Sequence, residues 1–354
     1  MGKSTLFNAL TKQAVLAANY PFATIDPNVG VVGVPDERLQ ALAEFSKSEQ
    51  VIPAAIEFVD IAGLVKGASE GQGLGNTFLS HIRECDAILE VVRFFDDPDV
   101  IHVEGTVEPS KDIEIISLEL VLADSEQVVA RKEKITRDVR AGDKKAIAEE
   151  VALTKLIQAF SIGTLARLAG LSVEERETVK HLNLLTMKPI LFALNRKSGG
   201  HNLDEQHDGR AERAYEAVAA LASRSVKVDA ATEQELNDVS DADRQGFRQE
   251  LGVHEDGIME LIRGAYETLG LISFFTTGPK ETRAWTITNG SKAPQAGAAI
   301  HTDFQDKFIR AEVVACRDLL AAGSYAAARE GAKVRTEGRE YVVKDGDVII
   351  FLHS

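Results

Sequence analysis

The chain begins Met1-Gly2-Lys3-Ser4-Thr5, the second half of the phosphate-binding loop G-x-x-x-x-G-K-[ST], without the strand and first glycine of the complete motif. In such a loop backbone N–H groups wrap the phosphates, the lysine reaches the terminal ones, and the Ser or Thr hydroxyl holds Mg²⁺. Gly2, Lys3, Ser4 and Thr5 therefore predict contacts to nucleotide phosphates, with Ser4 also a metal ligand. Four residues recur by chance, so the elements that follow matter. Asp60-Ile61-Ala62-Gly63 comes after a strand-like run, roughly 55 residues on, where a second phosphate-sensing loop is expected. Asp60 would support Mg²⁺ through water and the Gly63 N–H would meet the γ-phosphate. Between the two, Pro21-Phe22-Ala23-Thr24-Ile25-Asp26-Pro27 offers Thr24 as a residue that closes over the metal. Three elements in this order point to a nucleoside triphosphatase.

Two positions depart from the usual GTPase pattern. After Gly63 stands Leu64, where many such enzymes place a Gln that orients the attacking water; an aliphatic side chain cannot hydrogen-bond to it. In the base-recognition loop, Asn195-Arg196-Lys197-Ser198 lacks the carboxylate that accepts from guanine N1–H and its amino group. Ser198 therefore disfavours GTP. Asn195 is expected to support the loop, and Asp229-Ala230 leaves the last base-facing loop undefined.

The elements that would position these residues follow from periodicity. Thr5 to Ala17 reads as a helix with Leu6, Ala9 and Leu10 on one face; Ala55 to Ile61 and Ala87 to Val92 read as short buried strands. Strands alternating with helices imply a mostly parallel sheet covered on both faces. The glycine-rich stretch 67–76 is expected to be mobile. From Asp112 to Phe160 the period becomes helical: Ile115, Leu118, Leu122 and Val129, then Leu153, Leu156 and Phe160, predict two helices packed through those residues around Ala141-Gly142-Asp143. Arg131, Lys132, Lys134, Arg137, Arg140, Lys144 and Lys145 cluster near that turn, as a solvated helix face or as an RNA-facing tip. Pro189 to Leu194 restores the strand pattern, so the helical pair reads as an insertion. After Leu271, strand-like runs at 285–287, 308–314, 341–343 and 348–352, with a turn at Lys344-Asp345-Gly346-Asp347, form a separate α+β module.

In combination these stretches resemble the YchF-type, Obg-like ATPases of the translation-factor class of P-loop proteins. The resemblance is carried by Gly2 to Thr11, Phe58 to Ser69 and Gly73-Leu74-Gly75-Asn76, and it extends to Arg283-Ala284-Trp285-Thr286 and His301-Thr302-Asp303-Phe304, which look like that family's TGS module. It implies an α/β fold: a P-loop NTPase sheet lacking its first strand, a coiled-coil-like helical insertion and a C-terminal β-grasp-like TGS module. The corresponding boundaries are 1–108 with 184–270 for the nucleotide domain, 109–183 for the insertion and 271–354 for TGS. It also implies hydrolysis of ATP in preference to GTP, Mg²⁺ as cofactor, and association with the ribosome through its large subunit or rRNA. His102, in Val100-Ile101-His102-Val103, corresponds to the family's catalytic histidine on a mobile loop; a neutral imidazole there would position or deprotonate water. An incidental histidine is the plainer reading of the residue alone. Where the family's loop reads Asn-Val-Gly-Lys-Ser, this chain has Met1. GUG encodes Val and also initiates as Met, so we expect a start assigned about a dozen residues late, enough for a strand of roughly 5–6 residues and the first half of the loop. A real truncation or a degenerate paralogue is the alternative, and would leave a nucleotide-binding regulator of translation with little turnover.

Composition sets the outer bounds. With 354 residues, 44% apolar and 27% charged, the chain is expected to be a cytoplasmic protein of two or three domains, without a membrane-spanning run or signal peptide. Cys85 and Cys316 suggest neither a disulfide framework nor a zinc site. The formal charge of −15 repels polyanions at long range, so no DNA binding is expected and any RNA contact must use local patches.

Overall fold

The computed structural model describes residues 2–13, 28–61, 74–97, 106–237, 239–240, 243, 246–247 and 257–353. The first part of the chain forms α1 (Lys3–Gln13), β1 (Val29–Gly33), α2 (Glu37–Ser46), β2 (Gln50–Ile52), β3 (Ala55–Val59), α3 (Leu74–Glu84), β4 (Ile88–Arg93) and β5 (Phe95–Asp96). There follow α4 (Pro109–Arg140), α5 (Lys144–Ser161), α6 (Val173–Val179), β6 (Ile190–Asn195), β7 (His201–Asn202), α7 (Leu203–Gln206), α8 (Arg210–Ala220), β8 (Arg224–Val228) and α9 (Ala230–Leu236). The last third contains α10 (Gly257–Thr268), β9 (Leu271–Thr277), β10 (Glu281–Thr288), α11 (Ala293–Ile300), β11 (Phe308–Ala315), β12 (Arg335–Glu337) and β13 (Asp347–His353). These elements gather into two compact units, Met1–Leu6 with Asp60–Gly257, and Phe7–Val59 with Ile258–Ser354.

The first unit is built on a parallel sheet in the order β4-β6-β8, with Ile88 beside Ile190 and Leu191 beside Arg224. Every residue of β6 is buried, as a central parallel strand requires, and its run of Ile, Leu, Phe, Ala and Leu shows no alternation for that reason. Val92, Phe94, Phe192 and Leu194 share one apolar cluster with Ile113, Val121 and Val128 of α4, Leu153, Leu156 and Phe160 of α5, and Ala214 and Val218 of α8. The helical pair is thus continuous with the core of the sheet.

α4 and α5 are antiparallel around Gly142, whose φ of +82° a side chain would oppose, and Asp143 caps α5 by accepting from the Ala146 N–H at 2.8 Å. The expected packing face of α5 holds. That of α4 does not: Leu118, Leu122 and Val129 are exposed, and Ile113, Leu120, Val121, Val128 and Ile135 are buried instead. Both sets satisfy helical spacing, so two competing stripes exist and only one is buried. Asp124 sits on the buried side, fully enclosed, and accepts from Leu185 N, Thr186 N, Thr186 Oγ1 and Arg83 Nη1 at 3.0, 2.7, 2.7 and 3.2 Å. A buried carboxylate so fully bonded fixes the face that periodicity left ambiguous.

The second unit contains β1 paired antiparallel with β3, and a mixed six-stranded sheet in the order β12-β11-β13-β9-β10-β2. α11 contributes Ala293 and Ala296 to the core formed with Phe274, Ile287, Ala311, Val313 and Ile349. Residues 341–343, expected as a strand, make only an isolated bridge from Val342 to Lys292; the Tyr341 hydroxyl donates to Asp347 Oδ2 at 2.7 Å instead of the segment extending the ladder. The edge strand β2 runs parallel to β10, with Gln50 beside Glu281, so a stretch close in sequence to the nucleotide loops completes the C-terminal sheet. Arg38 of α2 clamps the same region. It donates to Asp36 Oδ1 and Oδ2 at 2.9 and 2.7 Å and to Asp345 Oδ2 at 2.6 Å, and lies 5.2 Å above the Phe275 ring.

Cys85 and Cys316 are free thiols, and burial pushes both above the ordinary thiol pKa. Among the described residues no helix is long and apolar enough to cross a membrane.

Candidate nucleotide-binding site

α1 starts at Lys3, and the Leu6 N–H closes its first turn on the Gly2 carbonyl at 2.8 Å. No acidic residue stands in that turn, so the positive end of the helix keeps its attraction for an anion. Gly2 has φ +87°, and a Cβ there would run into the Asn195 side-chain amide. Glycine is required at this position twice over, by its dihedral and by the close approach.

Lys3 Nζ is paired with Asp60 Oδ1 and also donates to the Ile61 carbonyl. The lysine of the phosphate loop and the carboxylate of the second loop are therefore in direct contact although 57 positions apart in sequence. Both are partly accessible, at 37% and 20% of side-chain area, so other partners can reach them. Ser4 is exposed and Thr5 half-buried beside it. Thr24, Gly63 and His102 lie outside the described residues, as does Leu64.

Asn195 ends β6. Its Oδ1 accepts from the Ala230 N–H at 3.0 Å while its amide nitrogen flanks Gly2. The side chain thus joins the phosphate loop to the start of α9. Asp229, for which the sequence suggested no role, caps α9 by accepting from Thr232 N at 3.1 Å and Thr232 Oγ1 at 2.8 Å, and it accepts the Ser198 N–H at 2.5 Å. The carboxylate that Ser198 touches is thereby engaged in holding the loop.

Described residues on either side of positions 98–105, the stretch that includes His102, are tied together. Arg210, 12% exposed, donates to Asp96 Oδ1 and Oδ2 at 3.0 and 2.7 Å on one side and to the Val107 carbonyl at 3.1 Å on the other. This pairing holds the Asp96 carboxyl below its usual range and raises the guanidinium further. Asp97 is paired with Lys197, which belongs to the loop expected to face the base, and Glu108 with Arg213 at 3.0 Å. Sequence reading missed Arg210, because its partners lie 103 and 114 positions away and no local motif marks it.

Ser4 and Asp60 carry hydroxyl and carboxylate oxygens of the kind that would suit a hard cation such as Mg²⁺. Among the described residues no three His, Cys, Asp or Glu side chains converge as a metal cage, so a cation here would take its remaining ligands from water and phosphate oxygens, as Mg²⁺ prefers.

The chain matches known families along most of its length. Residues 1–131 match the profile of a 50S ribosome-binding GTPase family, and residues 271–354 match the YchF C-terminal profile, described as a protein of unknown function. The ribosome-binding ATPase YchF of Bacillus subtilis is 48% identical over 351 residues, 99% of this chain and 96% of the relative. Its counterpart in Escherichia coli O157:H7 is 45% identical over 354 residues, 100% of this chain and 96% of the relative. The solved YchF GTPase of Schizosaccharomyces pombe superposes with a TM-score of 0.87 at 36% identity, covering 99% of this chain and 95% of that one. With phosphate loop, second loop and C-terminal module all matched at this level, the chain belongs to the YchF family.

Proposed function

We propose that this protein is a Mg²⁺-dependent ATPase that cycles on ribosomes and regulates translation. The observation that carries the chemistry is the contact between Lys3 and Asp60 at the start of α1, whose first turn holds no acidic residue of its own; the names of the relatives supply the substrate class and the partner. Bound Mg²⁺ would shield phosphate charge and orient the β- and γ-phosphates for attack. Ser4 and Thr24 are the proposed ligands, and Asp60 supports the ion through water. Lys3, released from Asp60, stabilises charge on the β- and γ-phosphates, while Gly2, Thr5 and Gly63 offer backbone N–H donors to phosphate oxygens. Leu64 has no group for the attacking water, and His102 is the proposed residue that positions it.

Preference for ATP rests on the base loop. With Asn195 committed to Ala230 and Asp229 to Ser198 and Thr232, no carboxylate at position 198 receives the two donors of guanine, and an unmatched donor pair is strongly rejected. Competition of unlabelled ATP and GTP against a fluorescent ATP analogue is expected to give the lower inhibition constant for ATP; preference for GTP refutes the base assignment. Leu64 favours one second reading, a nucleotide-gated regulator with negligible turnover, and phosphate release measured with and without ribosomes separates it from the enzyme.

A further inference from the structure

Two clusters of basic residues stand out in this acidic chain, and the structure treats them differently. In the C-terminal module Lys307 pairs with Asp303 at 3.0 Å and Arg329 with Glu312 at 2.5 Å. Arg335 lies 3.7 Å from both Glu337 and Asp347, and Arg339 donates to the Phe308 and Gln305 carbonyls at 3.1 and 3.3 Å. Most of that cluster is engaged by the fold itself, and Arg310 and Lys333, both exposed, are its members whose side chains make no ion pair or hydrogen bond among the described residues.

The hairpin of α4 and α5 shows the opposite pattern at its tip. Lower on the hairpin, Arg131 holds Glu149 through two bonds of 2.7 and 2.9 Å, Lys132 donates to Thr154 at 2.9 Å, and Lys155 pairs with Glu175 at 2.6 Å. From Lys134 onward the cations are left over: Lys134, Arg137, Arg140, Lys144 and Lys145 are all exposed and, among the described residues, their side chains make no ion pair or hydrogen bond. Lys144 and Lys145 even occupy the first turn of α5, which has no acidic residue and where the helix dipole disfavours positive charge. Helix stability therefore does not account for them. Between 131 and 145 the chain has seven basic and three acidic side chains, against a total charge of −15, so this tip is a local exception to a field that otherwise repels polyanions.

We propose that the tip of the α4–α5 hairpin, rather than the basic cluster of the C-terminal module, is the surface that grips the RNA phosphate backbone when the protein sits on the ribosome. This rests on the ribosome reading above. Five uncommitted cations on two adjoining helix ends match a run of phosphates as point charges, a contact that needs charge rather than bidentate geometry.

The test compares the full chain with the variant K134A/R137A/R140A/K144A/K145A, a charge-conserving control R137K/R140K, and R310A/K333A in the C-terminal module. Binding to purified ribosomes is measured by co-sedimentation over a series of salt concentrations. The tip variant is expected to bind at least 10-fold more weakly at fixed salt, with the slope of log K against log salt shallower by about 2 to 4, while both other variants bind as the parent does. Equal binding and slope for parent and tip variant overturn the proposal alone. A weaker tip variant with an unchanged slope also overturns it, in favour of a protein contact. If the parent itself does not sediment with ribosomes, the ribosome reading falls and the proposal with it.

Discussion

Gly2 is the residue on which the phosphate loop turns. Its φ of +87° and its contact with the Asn195 amide leave no room for a Cβ, so Gly2→Ala introduces both dihedral strain and a clash. The expected cost is about 1–3 kcal/mol, read as a lower unfolding midpoint together with weaker ATP binding. Asn195→Ala removes the clash but not the strain, and it also removes the bond to the Ala230 N–H, so Gly2→Ala is expected to cost less in an Asn195→Ala background than in the parent. Equal stability for Gly2→Ala and the parent would show that the loop relaxes freely. The Lys3–Asp60 pair was anticipated only as two roles around a nucleotide; that the two side chains satisfy each other directly is a property of the fold. Motif spacing encodes which residues belong to a site, because chemistry restricts their types. It does not encode their mutual partners.

Among the elements, β5 and the start of α4 bracket the segment that carries His102, and Arg210 of α8 ties the two together through Asp96 and Val107. Arg210→Ala frees both ends. If His102 positions the attacking water, the variant loses about 10-fold or more in kcat through misplacement, with little change in KM for ATP. In a His102→Ala background the same substitution is expected to have no further effect on kcat, because a positioning residue acts only through its target. Equal losses in both backgrounds would assign Arg210 a purely structural role. α4 shows where element-level reading from sequence stops. Its 32 residues present two apolar stripes, and the stripe chosen from spacing, with Leu118, Leu122 and Val129, is the one that faces solvent. Burial of Asp124 and its four donors decides the matter, and those donors come from segments 41 to 62 positions away.

At the scale of the whole molecule, stability against pH carries the signature of one buried acid. Glu90 of β4 is 6% exposed, its Oε1 has no hydrogen-bond partner among the described residues, and burial, with help from the Asp112 charge, pushes its pKa up to about 8. The folded state therefore keeps a proton that the unfolded chain releases above the ordinary carboxylate range, and stability falls as pH rises towards 8. The slope from this group reaches at most about 1.4 kcal/mol per pH unit. Denaturant unfolding between pH 5.5 and 8 is expected to show that decline in the parent and a flatter profile in Glu90→Gln; identical profiles would mean that Glu90 is ionised in the fold. The reach of the C-terminal sheet is also a whole-molecule property. β2 completes it beside β10, and Arg38 binds Asp345 across 307 positions, so this unit draws on the N-terminal sixth of the chain. By itself the sequence determined the family, the central strand β6 and the helical hairpin, and it marked Gly2, Lys3, Ser4 and Asp60 as candidates for P-loop chemistry, because each is written in local residue types and periods. Only the tertiary structure decided which face of α4 is buried, what Asn195, Asp229 and Arg210 hold, which basic cluster is left free, and where β2 pairs, because each depends on partners that chain folding brings together from distant positions.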